Sequence, residues 1–136
     1  MRLVGTVQGH LVTLTSAAEN NFAYSLLPSG SGWIGATDEA SEGQWKWVTG
    51  ELFWSGGVSG SPINGMYNNW TSGGEPNNSN NEDYAHFRGY NSWNDVPCSS
   101  TMAYYIVEYD VTVPEPSCLL LLGLVGIAGL IISKKR

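Results

Sequence analysis

Between Gly50 and Asp83 the chain runs for 32 residues through Gly, Ser, Asn and Pro with no sustained helical or alternating apolar pattern. So long an irregular stretch within one compact unit is uncommon, and where it occurs it is functional or disordered. Helical bundles and coiled coils need an unbroken 3.6- or 3.5-residue repeat, so both are excluded, and the regular elements must flank the loop. The chain of 136 residues has room for one domain and a tail. Charge narrows the partners: up to Val113 there are eleven acidic residues against three basic ones, a net charge of −8. A body that acidic repels phosphate backbones and attracts cations, so no nucleic-acid partner is expected.

The flanks carry clearer signals. Gly9 to Thr15 alternates as a short strand or extended run. Ser16-Ala17-Ala18-Glu19 then matches a capping box, with Ser16 or Thr15 as the cap and Phe22, Ala23, Leu26 and Leu27 at helical spacing behind it. Pro28 and the Ser-Gly pairs end that helix. Short strands are expected at Trp33 to Ala36, Trp45 to Val48, Tyr84 to Tyr90 and Ala103 to Tyr109. This is an α+β pattern. Trp33, Trp45, Trp47, Trp70 and Trp93 are expected to anchor the core and the loops.

From Cys118 to Ile132 there are fifteen uncharged residues, nearly all Leu, Ile, Val, Gly or Ala, followed by Ser133, Lys134, Lys135 and Arg136. As a helix the run spans about 22 Å against a hydrocarbon core of about 30 Å, a gap that flanking residues and snorkelling lysines close. It has no polar face, which favours a membrane helix over a buried one, with the basic end in the cytoplasm and the acidic body outside. The Pro114-Glu115-Pro116 segment before it reads as an exposed linker. Pro-Glu-Pro, an apolar helix and a basic end in that order resemble the PEP-CTERM sorting tag of bacterial envelope proteins. The resemblance implies transient membrane anchoring, processing near the motif by an exosortase, and a final place in the envelope, at the cell surface or outside the cell. The expected division is a domain over 1–110, a linker over 111–117, and a transmembrane helix with basic tail over 118–136. No secretory signal is legible at Met1 to Gly5, which suggests a misplaced start. Cys98 and Cys118 provide no disulfide framework.

Oxygen donors gather in and beside the irregular stretch: Glu75-Pro76-Asn77, then Glu82-Asp83, then Asn94-Asp95. Six to eight hard oxygen donors suit Ca²⁺, and Gly- and Asn-rich turns let backbone carbonyls join them. A carboxylate cluster without a cation repels itself. The alternative is a solvated acidic loop whose Asn and Asp residues serve turn geometry.

Trp33-Ile34-Gly35-Ala36-Thr37-Asp38, Glu42-Gly43-Gln44-Trp45-Lys46-Trp47, Asn69-Trp70, Glu75-Pro76-Asn77-Asn78, Glu82-Asp83 and Trp93-Asn94-Asp95 together resemble the C-type lectin domain, in order, from about Gly9 to Tyr109. That resemblance implies a principal calcium site made by Glu75, Asn77, Glu82, Asn94 and Asp95, with the sugar bound on the same five residues. It implies an auxiliary calcium site at Asp38, Glu42, Asn78, Glu82 and Asp83, weakened by Asn78 standing where an Asp is found in members with a strong second site. In the family a Glu-Pro-Asn motif goes with mannose, glucose, fucose or N-acetylglucosamine, and Gln-Pro-Asp with galactose. Pro76 matches a cis-proline that aims its neighbours at the ion. Against the family pattern, Tyr84 and Val107 occupy cysteine positions and Cys98 lacks a partner. The chain also lacks the first strand and most of the first helix, so the strand ending at Tyr109 is expected to keep an unpaired edge.

The resulting expectation is a calcium-dependent carbohydrate-binding protein of a bacterial envelope, taking a mannose-type glycan or an exopolysaccharide. The competing reading is a lectin-like adhesion or matrix protein that binds protein partners and uses calcium only structurally. No enzyme is expected, since His10 and His86 are single histidines in strand contexts and nothing orients a His86–Cys98 pair.

Overall fold

The computed structural model describes residues 8–110 and the backbone of 129–134. The Pro114-Glu115-Pro116 motif and the expected membrane segment over 118–128 lie outside the described residues.

The elements follow the flanking patterns. β1 (Gly9–Leu11) leads into α1 (Ala17–Ser25), which is capped at Ser16. The Ser16 hydroxyl accepts from the Glu19 amide at 3.2 Å, and the Glu19 carboxylate accepts from the Thr15 amide and hydroxyl, both at 2.8 Å. Orphan donors of the first turn are thereby satisfied in both directions. The helix turns Asn20 and Ala23 inward and leaves Phe22 exposed. β2 (Gly32–Thr37), β3 (Gln44–Trp47), β6 (Tyr84–Arg88) and β8 (Tyr104–Tyr109) occupy the expected segments. β4 (Leu52–Ser55), the two-residue β5 (Ser61–Pro62), a 3-10 turn at Ile63–Gly65 and β7 (Ser92–Val96) were not expected from the sequence. The stretch after Gly50 is thus structured at its start. Phe53 and Trp54 drive β4 into the core, and a four-residue strand is too short to announce itself by alternation.

The strands join in the order β1-β8-β2-β3-β4-β5, with β6 bridging β2 to β7. All pairs are antiparallel except the single β2–β8 contact, Trp33 opposite Tyr105. The core is aromatic. Trp47 stacks on Phe53 with centroids 4.5 Å apart, and Trp93 meets Trp47 and Trp70 edge-on at 5.6 and 5.7 Å. Edge-to-face pairs of this kind add about 0.5–1.5 kcal/mol each beyond burial. Trp33 is only half-buried, unlike the other four tryptophans expected in the core.

One buried polar network ties helix to sheet. Asn20, fully buried, accepts from the Trp93 indole at 2.7 Å and donates to the Asn91 side chain at 2.7 Å, pinning the β6–β7 turn against α1. Asn91 sits there at φ 62°, a left-handed conformation that Asn tolerates better than most residues.

The C-terminal segment departs from expectation. Gly129–Lys134 forms a strand, β9, antiparallel to β8 over the full register from Tyr104–Lys134 to Tyr109–Gly129. The helix expected to run through Ile132 is therefore not continued in this part, and β8 has a neighbour on the edge expected to stay open. An apolar run satisfies its backbone either as a helix in a bilayer or as a strand on an open sheet edge. Leu130, Ile131 and Ile132 take the second course here. Among the described residues no helix is long and apolar enough to cross a membrane.

Candidate ion-binding site

Glu75, Asn77, Asn94 and Asp95 are linked where the loop before β6 meets the β6–β7 hairpin, and Glu82 joins them through the Ser79 amide that it shares with Asn77. The Glu75–Pro76 peptide is cis, as the resemblance implied. Asp95, fully buried on β7, receives that loop: its carboxylate accepts from the Asn77 amide at 3.1 Å and the Asn78 amide at 2.7 Å. Glu75, also buried, accepts from the Asn77 carboxamide. Asn77 Oδ1 accepts from the Ser79 amide at 2.8 Å, and the same amide donates to Glu82 at 2.9 Å. Asn94 turns its carboxamide nitrogen to the Asp95 carbonyl.

The loop follows this course because of its asparagines. Asn78, Asn80 and Asn81 have φ of 51°, 63° and 66°, a region that most side chains avoid and Asn tolerates. Asn78 Oδ1 also accepts from the Glu82 amide at 2.7 Å, closing the loop on itself. The asparagines thus serve turn geometry.

Arg88 was not singled out in the sequence. Its Nη1 lies 3.0 Å from Glu75 Oε1 and 3.0 Å from Asn94 Oδ1, joining the loop to β7. The signal was available in the hairpin register: Arg88 pairs with Ser92 and His86 with Asn94, so Arg88 and Asn94 are diagonal neighbours on one face.

Electrostatics agree with a crowded anionic site. Burial, then the Asp95 charge, push the Glu75 carboxyl up to about 7, against the pull of Asn77 and Arg88. Burial also raises Glu82. Among the described residues no three His, Cys, Asp or Glu side chains converge into a ready cage. Instead each carboxylate of the principal set faces local N–H donors, which offset its charge in this arrangement.

Of the auxiliary residues, Glu42 and Asp83 lie close to Asp38, at the end of β2. Asp38 is buried; its Oδ2 accepts from the Gly43 amide at 2.8 Å, while Oδ1 is buried with no hydrogen-bond partner. Burial first, then Glu42 and Asp83, push its carboxyl to about 6. A buried carboxylate oxygen without a partner is costly, and a cation is the natural partner for it here. The donor chemistry of both sets, carboxylates and carboxamides without thiols, fits a hard divalent ion.

These shifts predict how the chelated protein responds to pH. Glu75 and Asp38 titrate higher in the folded chain than at their ordinary 4.5 and 3.8. The stabilisation they give is complete below those ordinary values and is lost as pH rises through about 6 and about 7. In chelator, thermal melts should therefore shift upward on acidification from pH 8 to pH 5. A flat or reversed trend would contradict these environments.

His86 borders this site, opposite Asn94 in the hairpin. His86 is buried edge-on to Trp33, with its pKa lowered chiefly by burial, whereas Cys98 is exposed. Leu11, Trp33, Ile34, Tyr84 and Cys98 line a cavity of about 380 Å³ that shares none of the principal donors.

Comparison with known proteins identifies the family of the domain. The Lectin C-type domain matches residues 5–107, and the PEP-CTERM protein-sorting motif matches residues 112–136. Halomucin of Haloquadratum walsbyi is 43% identical over 107 residues, covering 76% of this chain and 1% of halomucin. The hepatic lectin of Gallus gallus is 36% identical over 103 residues, covering 75% of this chain and 44% of that protein. The chain thus spans less than half the length of these relatives. The structure of the cow C-type carbohydrate-recognition domain of CD23, determined in the presence of a GlcNAc2Man3 oligosaccharide, aligns with a TM-score of 0.55 at 30% identity, covering 68% of this chain and 62% of that one. A family match over residues 5–107 makes this chain a member of the C-type lectin domain family, a family of generally non-enzymatic binding proteins, with a PEP-CTERM sorting motif behind the domain.

Proposed function

We propose that this domain binds carbohydrate of the mannose, glucose, fucose or N-acetylglucosamine type, with Ca²⁺ held by Glu75, Asn77, Glu82, Asn94 and Asp95. The observation that carries the reading is the convergence of Glu75, Asn77, Asn94 and Asp95 across the loop and β7, with the Asp95 carboxylate fixing the Asn77 and Asn78 amides. Bound there, the ion would supply coordination to two neighbouring sugar hydroxyls. The chain itself supplies the rest: a carboxylate accepts each hydroxyl proton and a carboxamide N–H donates to the hydroxyl oxygen. The oligosaccharide present with the related cow domain supports the class of ligand. Asp38, Glu42, Asn78, Glu82 and Asp83 would hold an auxiliary ion, a reading supported by the unpartnered Asp38 oxygen.

The sorting motif indicates a secreted or cell-envelope protein. Within this proposal the lectin domain ends near residue 110, the segment over 118–136 anchors the chain transiently in a bacterial membrane, and an exosortase processes it near Pro114, Glu115 and Pro116.

The test is calorimetric titration of the full chain with Ca²⁺, followed by mannose with the ion present and again with chelator. Calcium binding followed by chelator-sensitive mannose binding is expected. Calcium binding without response to any of these sugars would favour the adhesion reading. A folded chain that binds no calcium would overturn both ion sites.

A further inference from the structure

Arg88 occupies an unusual position in the charge pattern of this chain. Within residues 8–110 only Lys46 and Arg88 are basic. One of the two lies with a single nitrogen, Nη1, at 3.0 Å from both Glu75 Oε1 and Asn94 Oδ1, two of the donors proposed for the ion. The same Glu75 carboxylate takes the Asn77 carboxamide on its other oxygen, so N–H donors cover both its oxygens. Each contact aims a positive hydrogen at an oxygen that an ion would need.

The exposures of the two partners differ sharply. The Glu75 side chain is 5% exposed and that of Arg88 60%. The carboxylate is fixed inside the site, whereas the guanidinium is mostly in water and can leave with little desolvation to undo. Its contact uses one nitrogen in place of the two-pronged fork that makes Arg–carboxylate pairs strong. A single-point pair whose cation stands mostly in water is readily exchanged for a better cation.

Resting on the calcium reading above, we propose that Arg88 is a tethered cation that holds Glu75 and Asn94 when no ion is bound and must withdraw for one to enter, so that ion binding is an exchange. The arrangement makes two opposite contributions. In the ion-free chain Arg88 offsets repulsion between Glu75 and Asp95. Once a divalent ion arrives, the guanidinium is a like charge at its rim and a competitor for its ligands. Arg88 therefore sets the ion affinity of the site without being one of its ligands.

The test compares the full-length chain with Arg88→Gln and Arg88→Lys by calorimetric Ca²⁺ titration, together with thermal melts in chelator. Arg88→Gln keeps a donor for Glu75 but no charge; it should bind calcium about three- to tenfold more tightly and melt lower than wild type in chelator. Arg88→Lys should stay near wild type in both. Calcium affinity unchanged or weakened in Arg88→Gln, while the wild type binds normally, would overturn the exchange and leave Arg88 as a residue that merely positions Glu75 and Asn94. A lysine variant that behaves like the glutamine one would also overturn it, since charge would not be the cause. Binding by Arg88→Gln alone, with a silent wild type, would support it strongly. Absence of binding in every form would instead bring down the calcium reading and the exchange with it, an outcome separable from the others by the wild-type titration.

Discussion

Trp93→Ala is expected to lower the melting temperature by about 15 °C or more and to abolish ligand binding with it. Trp93 is fully buried, meets Trp47, Phe53, Tyr67 and Trp70 edge-on, and donates its indole proton to the buried Asn20. Truncating a buried tryptophan costs about 3–5 kcal/mol, and a domain of this size loses about 4–8 °C per kcal/mol. The stranded Asn20 acceptor adds about 1–3 kcal/mol. Trp93→Phe should fall between wild type and the alanine variant, because it keeps one aromatic ring in the cluster while losing the rest of the indole and the Asn20 bond. Differential scanning calorimetry of the three forms in chelator reads this order. A change of only a few degrees in the alanine variant would place Trp93 outside the core. Asn94 and Asp95 follow it directly on β7, so the same substitution should remove the site.

The second large effect concerns ligand choice. Glu75→Gln with Asn77→Asp moves the negative charge two residues along while leaving the total charge of the donor set unchanged. The carboxamide–carboxylate contact between positions 75 and 77 can reform with donor and acceptor exchanged, and the new carboxamide oxygen at position 75 can still accept from Arg88. Calcium affinity should therefore persist. The pattern presented to the sugar is inverted, and preference should move from mannose toward galactose by about tenfold, or ~1.4 kcal/mol. Competition between the two sugars on immobilised protein reads this directly. Retained mannose preference with calcium still bound would mean that Glu75 and Asn77 do not set the choice.

Where local chemistry decides structure, the sequence was a good guide. The Ser16 to Glu19 cap, the Trp-rich strands and the Glu75-Pro76-Asn77 turn all appear where their residues put them. β4 was missed because Leu52 to Ser55 is short and apolar inside a polar stretch, and what defines it is pairing with β3 and β5 and packing of Phe53 against Trp47. Arg88 was missed because its role depends on the strand register that aligns it with Asn94. The inward Asn20 breaks the simple reading of helix polarity: its partners, Trp93 and Asn91, lie about seventy residues away in sequence. The C-terminal run was read from its hydropathy, its basic end and its resemblance to a sorting tag, none of which chooses between a bilayer and an open strand edge as the place where an apolar backbone is satisfied.

β9 gives that choice a temporal meaning. The six residues zipped to β8 include Leu130 to Ile132, the last part of the stretch that the sorting motif would commit to a membrane. One stretch of chain cannot serve both ends at once. Capture by a bilayer during synthesis would leave β8 with a bare rim, ready to accept a strand from a neighbouring molecule. Sheet completion first would hide the tail from the sorting machinery until the ladder is unzipped. The order of these two events, set by the relative speeds of folding and delivery, would then decide whether the rim of β8 is closed by the chain's own tail or left bare.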